Sequence, residues 1–186
     1  MRLCKIISFS LILSLASIPA WAMESTKNKF EVLKIGQKLP NATLMQDGKP
    51  AVQLDQLKGR VKIISIVPKL NTPTCDEQTH KFSEENGGLD QKIDIVTIST
   101  NPADVQTAFA NKAKIHNILF LSDAPNYEFG ENTGLLRSDM KFLMRTVMVV
   151  DENNVIRYVD FVPGGGLPQI GEALKAAERV IAGRAG

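Results

Sequence analysis

Five short segments of the chain are almost continuously apolar and rich in β-branched residues, which is typical of buried strands. They span residues 61–67, 93–99, 118–121, 146–150 and 155–162. The last two are separated only by the polar turn Asp151-Glu152-Asn153-Asn154, so we expect them to pair in antiparallel fashion.

Helices are predicted between and after these strands. The first begins at Thr72 or Pro73 and runs to about residue 86, where a glycine pair ends it. A second follows Asn101-Pro102 and runs to about residue 114, and a short one is expected over 127–131. In segment 168–182 the apolar residues share one face at helical spacing, which predicts an amphipathic closing helix.

A short hairpin precedes the first buried strand. Asp47-Gly48 is a turn signal between the extended segments 41–45 and 51–54. The remaining elements follow the order β-α-β-α-β-β-α, which favours an α/β sandwich of the thioredoxin-like type with an N-terminal β-hairpin.

The first 22 residues have the pattern of a secretory signal peptide. Arg2 and Lys5 form a positive start, residues 6–18 are apolar, and Ala20-Trp21-Ala22 is a cleavage site of small residues. The apolar segment is shorter than the roughly 20 residues that a membrane span needs. We therefore expect cleavage after Ala22 and one exported domain over 23–186, without a membrane attachment; a retained N-terminal anchor is the alternative.

Charge and cysteine content narrow the classes of function. The 22 basic residues include the two of the signal, so the mature chain carries 20 basic and 20 acidic residues, and we expect no nucleic-acid partner. Cys4 lies in the signal, which leaves Cys75 as the single cysteine. It has no partner for an internal disulfide, so its thiol is either reactive or simply buried.

The residues around Cys75 favour a reactive thiol. Pro68 stops the strand 61–67, Thr72 is a good helix N-cap, and Pro73 suits the first helical position. Cys75 then lies at the third helical position, where free backbone N–H groups and the helix dipole favour a thiolate. The Thr72 hydroxyl could donate to that thiolate or to a substrate oxygen. The alternative is an inert cysteine under an ordinary helix cap.

Pro68, Thr72 and Cys75 match the pattern Pro-x-x-x-Thr/Ser-x-x-Cys, and the longer segment 67–82 adds Asn71-Thr72-Pro73-Thr74-Cys75 and Gln78-Thr79-His80-Lys81-Phe82. This segment resembles the peroxidatic motif of the peroxiredoxins, and the thiol peroxidase branch in particular. The resemblance extends from about residue 33 to 180. It implies a thioredoxin-like fold, a peroxide substrate that oxidises Cys75 to a sulfenic acid, and no organic or metal cofactor.

The same resemblance implies further roles. Pro68 would cover the thiolate against water and over-oxidation, besides ending a strand. The family's arginine lies just before a late strand and corresponds to Arg145, whose guanidinium would stabilise the thiolate and the charge that grows as the O–O bond breaks. A strand-end arginine in water is the alternative; Arg137 and Lys141 are neighbours that do not directly precede a predicted strand. A homodimer and, with the signal, a periplasmic location are also implied.

The chain departs from the thiol peroxidases that it resembles at one position. Most of them carry a second, resolving cysteine in the helix after the second main strand, at or near Ala110 here, and no cysteine follows Cys75. An external thiol or a thioredoxin-like protein is therefore the expected reductant. Two other functions stay open: a peroxide-sensing or binding module without turnover, and a thiol-disulfide oxidoreductase, which the missing Cys-x-x-Cys argues against.

The two histidines suggest no further chemistry. His80 lies five residues after Cys75, about 140° around a helix, which is a poor angle for a shared metal ion. His116 flanks a strand far away in the sequence. We expect surface or capping roles for both. The glycine run 164–166 lacks the residues of a phosphate-binding loop, so it is interpreted as a plain loop.

Overall fold

The structure is a computed structural model that describes residues 33–183. Its strands are β1 (Thr43–Leu44), β2 (Val52–Gln53), β3 (Lys62–Ile66), β4 (Asp94–Ser99), β5 (Leu119–Ser122), β6 (Leu136–Arg137), β7 (Phe142–Leu143), β8 (Thr146–Val150) and β9 (Ile156–Phe161). Its helices are α1 (Pro73–Glu84), α2 (Ala103–Ala113), α3 (Glu128–Thr133) and α4 (Ile170–Ala182), with short 3-10 turns at Leu54–Gln56 and Leu89–Gln91.

A five-stranded sheet with the order β5-β4-β3-β8-β9 forms the centre of the fold. β3, β4 and β5 run parallel, β8 lies antiparallel to β3, and β9 is antiparallel to β8 as predicted. The parallel strands are joined through α1 and α2, which is the crossover that parallel pairing requires. The predicted order of the main elements is confirmed.

Each face of the sheet buries its own apolar cluster, because successive side chains of a strand point to opposite sides. Ile63 and Val147 face a layer formed by α1 and α4, which contribute Phe82 and Ala173. On the other face, Ile64, Ile66 and Met148 pack with Phe129 of α3 and with Leu44 of β1. The sheet is therefore covered on both sides, as expected of an α/β sandwich.

The predicted N-terminal hairpin is confirmed. β1 and β2 pair antiparallel around the Asp47-Gly48 turn, and Gly48 has a positive φ of 63° that a side chain would strain. Met45 bridges to Ser122 at the end of β5, which fastens the hairpin against the outer strand of the sheet.

One element was missed by the sequence analysis. β6 and β7 form a two-stranded hairpin just before β8, with Leu136 paired to Leu143. Two-residue strands carry almost no periodicity, and this hairpin is held by tertiary packing against α3. Lys141 therefore does precede a strand, contrary to the prediction.

The signal peptide at 1–22 and the start of the domain at residue 23 lie outside the described residues, so both stay predictions. Within 33–183, none of the helices has the length and apolar character required to cross a lipid bilayer.

Candidate active site

The site is built where β3 gives way to α1. Thr72 is the N-cap with extended backbone angles, Pro73 is the first helical residue, and Cys75 is the third, as predicted. The first helical hydrogen bond runs from the Asp76 N–H to the Thr72 carbonyl, at 2.9 Å. The local rules for a helix start thus place Cys75 in the first turn, next to the end of the central strand.

Cys75 is a free thiol that is only 1% exposed. It packs with Val67 and Leu70 in a small apolar group, which we call the cysteine cluster (Val67, Leu70, Cys75). Phe109 of α2 and Phe120 of β5 pack against this cluster, with their rings edge to face at 6.1 Å. Water is largely excluded from the sulfur, so nearby charges act on it strongly.

Arg145 is the charge that faces the sulfur. Its Nη2 lies 3.2 Å from Cys75 Sγ, and the residue is only 5% exposed. The register explains the contact: Ile66 pairs with Thr146 at the ends of β3 and β8, so the next position along sets Arg145 beside Val67. Arg145 shares the sheet face of Val147, which is the face that α1 covers. The arrangement places a cationic N–H donor within hydrogen-bond distance of the sulfur.

The remaining nitrogens of Arg145 differ in their contacts. Nη1 donates to Oε1 of Gln78, whereas Nε is buried and has no acceptor among the residues that the structure describes. Buried polar groups in folded proteins are normally paired. A donor left open beside Cys75 is therefore available to an oxygen atom that enters the site.

Gln78 is a site residue that sequence reasoning missed. It is fully buried one turn after Cys75, and its Nε2 donates to Oγ of Ser65 on β3, at 2.8 Å. Gln78 thereby ties the arginine to the central strand and fixes its orientation. The spacing of three residues from Cys75 on one helix was the available signal, because such residues share a face.

Asn101 is a second residue that was missed. Its Oδ1 accepts from the Leu70 backbone N–H at 3.0 Å and from the Ser99 hydroxyl at 3.2 Å. It holds the loop before α1 against the end of β4. No sequence signal could have found it, since the contact depends on the parallel pairing of β3 and β4.

Thr72 does not donate a hydrogen bond to the sulfur, and Pro68 is adjacent to the cysteine cluster in the chain. Thr72 is exposed, and its hydroxyl donates to the Lys69 carbonyl at 3.0 Å rather than to the sulfur. Within the loop the nearest turn carbonyl satisfies this hydroxyl, which is common for Thr before a helix. Pro68 is half-buried and directly follows Val67 of the cysteine cluster.

The neighbouring cations Arg137 and Lys141 do not join the site. Arg137 is paired with Asp139 at 3.1 Å, and its guanidinium holds the pKa of that carboxyl below its ordinary value. Lys141 lies 5.0 Å from the centre of the Tyr127 ring. Of the three cations considered, Arg145 alone contacts the sulfur.

The histidines form surface contacts. His80 Nδ1 lies 2.8 Å from Glu84, and its Nε2 lies 3.7 Å from Asp76, both on α1. His116 is exposed. Among residues 33–183 there is no group of three or more His, Cys, Asp or Glu side chains placed to hold a metal ion.

Comparison with known proteins agrees with this geometry. Residues 34–174 match the Redoxin family. The chain is 33% identical to the thiol peroxidase of Halalkalibacterium halodurans, over 80% of this chain and 90% of that protein. It is 34% identical to the thiol peroxidase of Staphylococcus epidermidis, over 78% of this chain and 88% of that protein.

Solved structures give the same fold. A peroxiredoxin-like protein from Aquifex aeolicus superposes with a TM-score of 0.72 and 28% identity, covering 80% of this chain and 88% of that one. The thiol peroxidase from Chromobacterium violaceum superposes with a TM-score of 0.69 at 16% identity, covering 81% and 89%, a likeness of fold alone.

Proposed function

The chain belongs to the thiol peroxidases of the peroxiredoxin family, and we propose that it reduces hydrogen peroxide and organic hydroperoxides through a sulfenic acid on Cys75. The observation that carries the proposal is the 3.2 Å contact between Arg145 Nη2 and Cys75 Sγ in a buried cluster. A cation held at hydrogen-bond distance from a thiol favours nucleophilic attack by its sulfur.

In the first step the Cys75 thiolate attacks one peroxide oxygen. An S–O bond forms, the O–O bond breaks, and the second oxygen leaves as water or an alcohol after taking up a proton. The sulfur is oxidised by two electrons and the peroxide is reduced by two. Arg145 stabilises the thiolate through Nη2, and its open Nε donor meets the oxygen on which negative charge develops.

The second step needs a thiol from outside the chain, because removal of residues 1–22 also removes Cys4 and leaves Cys75 as the only cysteine. A reductant thiol attacks the sulfenic sulfur, forming a mixed disulfide and releasing water. A second thiol then releases Cys75 and leaves the reductant as its disulfide. A small thiol or a thioredoxin-like protein satisfies this balance.

Thr72 and Pro68 take supporting roles in the proposal. A rotation of the Thr72 side chain away from the Lys69 carbonyl would direct its hydroxyl toward a bound peroxide. Pro68, which directly follows Val67 of the cysteine cluster, would limit the access of water to the thiolate.

We also propose that residues 1–22 direct export to the periplasm and are removed there, and that the mature protein is a homodimer. The first rests on the charged, apolar and small-residue pattern before residue 23, and the second on the family. Mass determination of the exported protein and sedimentation of the purified protein test them separately. An uncleaved chain would contradict the first, and a monomer at micromolar concentration the second.

The peroxidase proposal is tested by steady-state consumption of hydrogen peroxide and an alkyl hydroperoxide with excess dithiothreitol, beside Cys75→Ser. We expect many turnovers in the parent and none in the variant. A variant that consumes peroxide at the parent rate would remove Cys75 from the mechanism. One stoichiometric oxidation without cycling would favour a peroxide sensor, which the single thiol also suits.

A further inference from the structure

A cavity of about 680 Å³ lies beside the cysteine cluster, between the start of α1 and the second half of α2. Thr72, Pro73 and Asp76 line one side, and Phe109 and Lys112 line the other. Its volume falls in the range of about 300–1,000 Å³ that is common for small-molecule sites.

Cys75 does not line this cavity, but its neighbours do. Pro73 and Asp76 belong to the same helical turn as Cys75. Phe109 both lines the cavity and packs against the cysteine cluster, so the two share this side chain. A molecule held in the cavity therefore lies one side chain away from the cluster that contains the sulfur.

The walls of the cavity differ in charge. Asp76 lies on the α1 side, with His80 next to it at 3.7 Å. Lys112 lies on the α2 side and is exposed, and its ammonium group makes no hydrogen bond or ion pair within residues 33–183. The Asp76 carboxylate on one side, with the Lys112 ammonium group and the Phe109 ring on the other, complements a small molecule that carries both an ammonium and a carboxylate group.

We propose that this cavity binds the reductant of Cys75, and that the reductant is a small zwitterionic thiol of the cysteine or glutathione type. The inference rests on the proposed peroxidase function. The reductant's carboxylate meets Lys112, and its ammonium meets Asp76. Its thiol attacks the Cys75 sulfenic sulfur past the Phe109 ring and releases water; a second such thiol then frees Cys75 as the reductant disulfide forms.

The test is steady-state peroxide consumption with glutathione as reductant, at saturating hydrogen peroxide. We expect saturation in glutathione for the parent. For Lys112→Glu we expect the KM for glutathione to rise about fivefold with kcat retained, the size of an exposed charge contact. Lys58→Glu makes the same charge change at an exposed residue that does not line the cavity, so it should keep the parent KM.

A thiol series adds a second readout on the parent protein. Cysteine and glutathione should support turnover at lower concentration than cysteamine, which lacks the carboxylate, and 3-mercaptopropionate, which lacks the amine. Equal, non-saturating rates with all four thiols, or an unchanged KM in Lys112→Glu, would overturn the proposal. So would turnover that only a thioredoxin-fold protein supports.

Failure of the underlying peroxidase function is recognised separately. Counting the free Cys75 thiol after one equivalent of hydrogen peroxide, with no reductant present, reports oxidation alone. Loss of the thiol together with absent glutathione saturation refutes only the reductant site. A thiol that survives the peroxide refutes both.

Discussion

Arg145 connects the sulfur of Cys75 to the central strand through Gln78 and Ser65. The chain of contacts runs from Sγ to the guanidinium, from Nη1 to the Gln78 amide, and from that amide to the Ser65 hydroxyl. All four residues are buried. Because water cannot replace these contacts, the orientation of the arginine depends on each of them.

Arg145→Lys should slow the oxidation of Cys75. A lysine keeps the positive charge but loses the planar set of donors that contacts the sulfur and Gln78 and that, in the proposed mechanism, meets the peroxide oxygen. We expect the second-order rate of Cys75 oxidation by hydrogen peroxide to fall about 10²- to 10³-fold. Rapid-quench thiol counting measures this rate. Arg137→Lys, at an exposed arginine, serves as the control, and a rate within twofold of the parent would refute the role of Arg145.

Gln78→Ala removes both the acceptor of Arg145 Nη1 and the hydrogen-bond partner of the Ser65 hydroxyl. We expect the oxidation rate to fall about tenfold, because a buried donor without a partner costs about 1–3 kcal/mol and lets the arginine reorient. Gln78→Glu restores an acceptor and should recover part of the rate. Loss of stability with an unchanged oxidation rate would make Gln78 structural only. Glu77→Ala, exposed on the same helix, is the control.

Among the elements, α3 depends on a close approach to the β6–β7 hairpin. A Cβ at Gly130 would meet Leu143 Cδ2 at 2.6 Å and Leu136 Cβ at 2.8 Å. The backbone N–H of Gly130 also donates to Asp123 Oδ2 at 2.9 Å. Glycine is therefore required here by space rather than by backbone conformation.

We expect Gly130→Ala to lower the free energy of unfolding by about 1–3 kcal/mol, the usual cost of overpacking a core. Gly171→Ala is the matched control, since a Cβ at Gly171 in α4 meets no atom within 4 Å. Alanine favours a helix over glycine, so this control should be neutral or stabilising by up to about 1 kcal/mol. Urea unfolding of both variants checks the difference, and equal stabilities would contradict the packing argument.

For the molecule as a whole, Asp123 makes stability depend on pH. The carboxyl follows β5, is buried, and accepts from the N–H groups of Phe129 and Gly130. Burial raises its pKa from 3.8 to about 6, with a smaller rise from Glu128 and Glu131, against the lowering by the Gly130 and Phe129 hydrogen bonds. The folded protein thus holds this proton more tightly than the unfolded chain does.

An acid whose pKa is higher in the folded state stabilises the fold at pH values below its unfolded-state pKa. This contribution is lost as the pH rises through the folded-state pKa. For Asp123 the loss falls between about pH 4 and pH 6 and amounts to at most about 3 kcal/mol. Urea unfolding from pH 4 to 7.5 should show this decline in the parent and not in Asp123→Asn. Asp139→Asn, at an exposed carboxyl, should keep it, and identical profiles for the parent and Asp123→Asn would refute the assignment.

Local rules were sufficient for the order of elements and for the helix start at Cys75. The apolar β-branched run before Pro68, the Thr72 cap and Pro73 at the first helical position act within a few residues of one another, so the sequence contains all the information they need. Arg145 was identified by its motif position before β8, although its contact could not be derived from the sequence.

Tertiary structure decided which side chains meet. Residues 75 and 145 are 70 positions apart, and their contact follows from the pairing of β3 with β8, which no local pattern encodes. The Gln78–Ser65 hydrogen bond and the β6–β7 hairpin also depend on tertiary packing. The Thr72 hydroxyl donates to the nearby Lys69 carbonyl rather than to the sulfur. Sequence by itself determined the order of the elements and a cysteine in the first turn of α1, because helix caps and hydrophobic periodicity act over a few residues. The burial of the thiol and its contact with Arg145 arose only when distant strands packed.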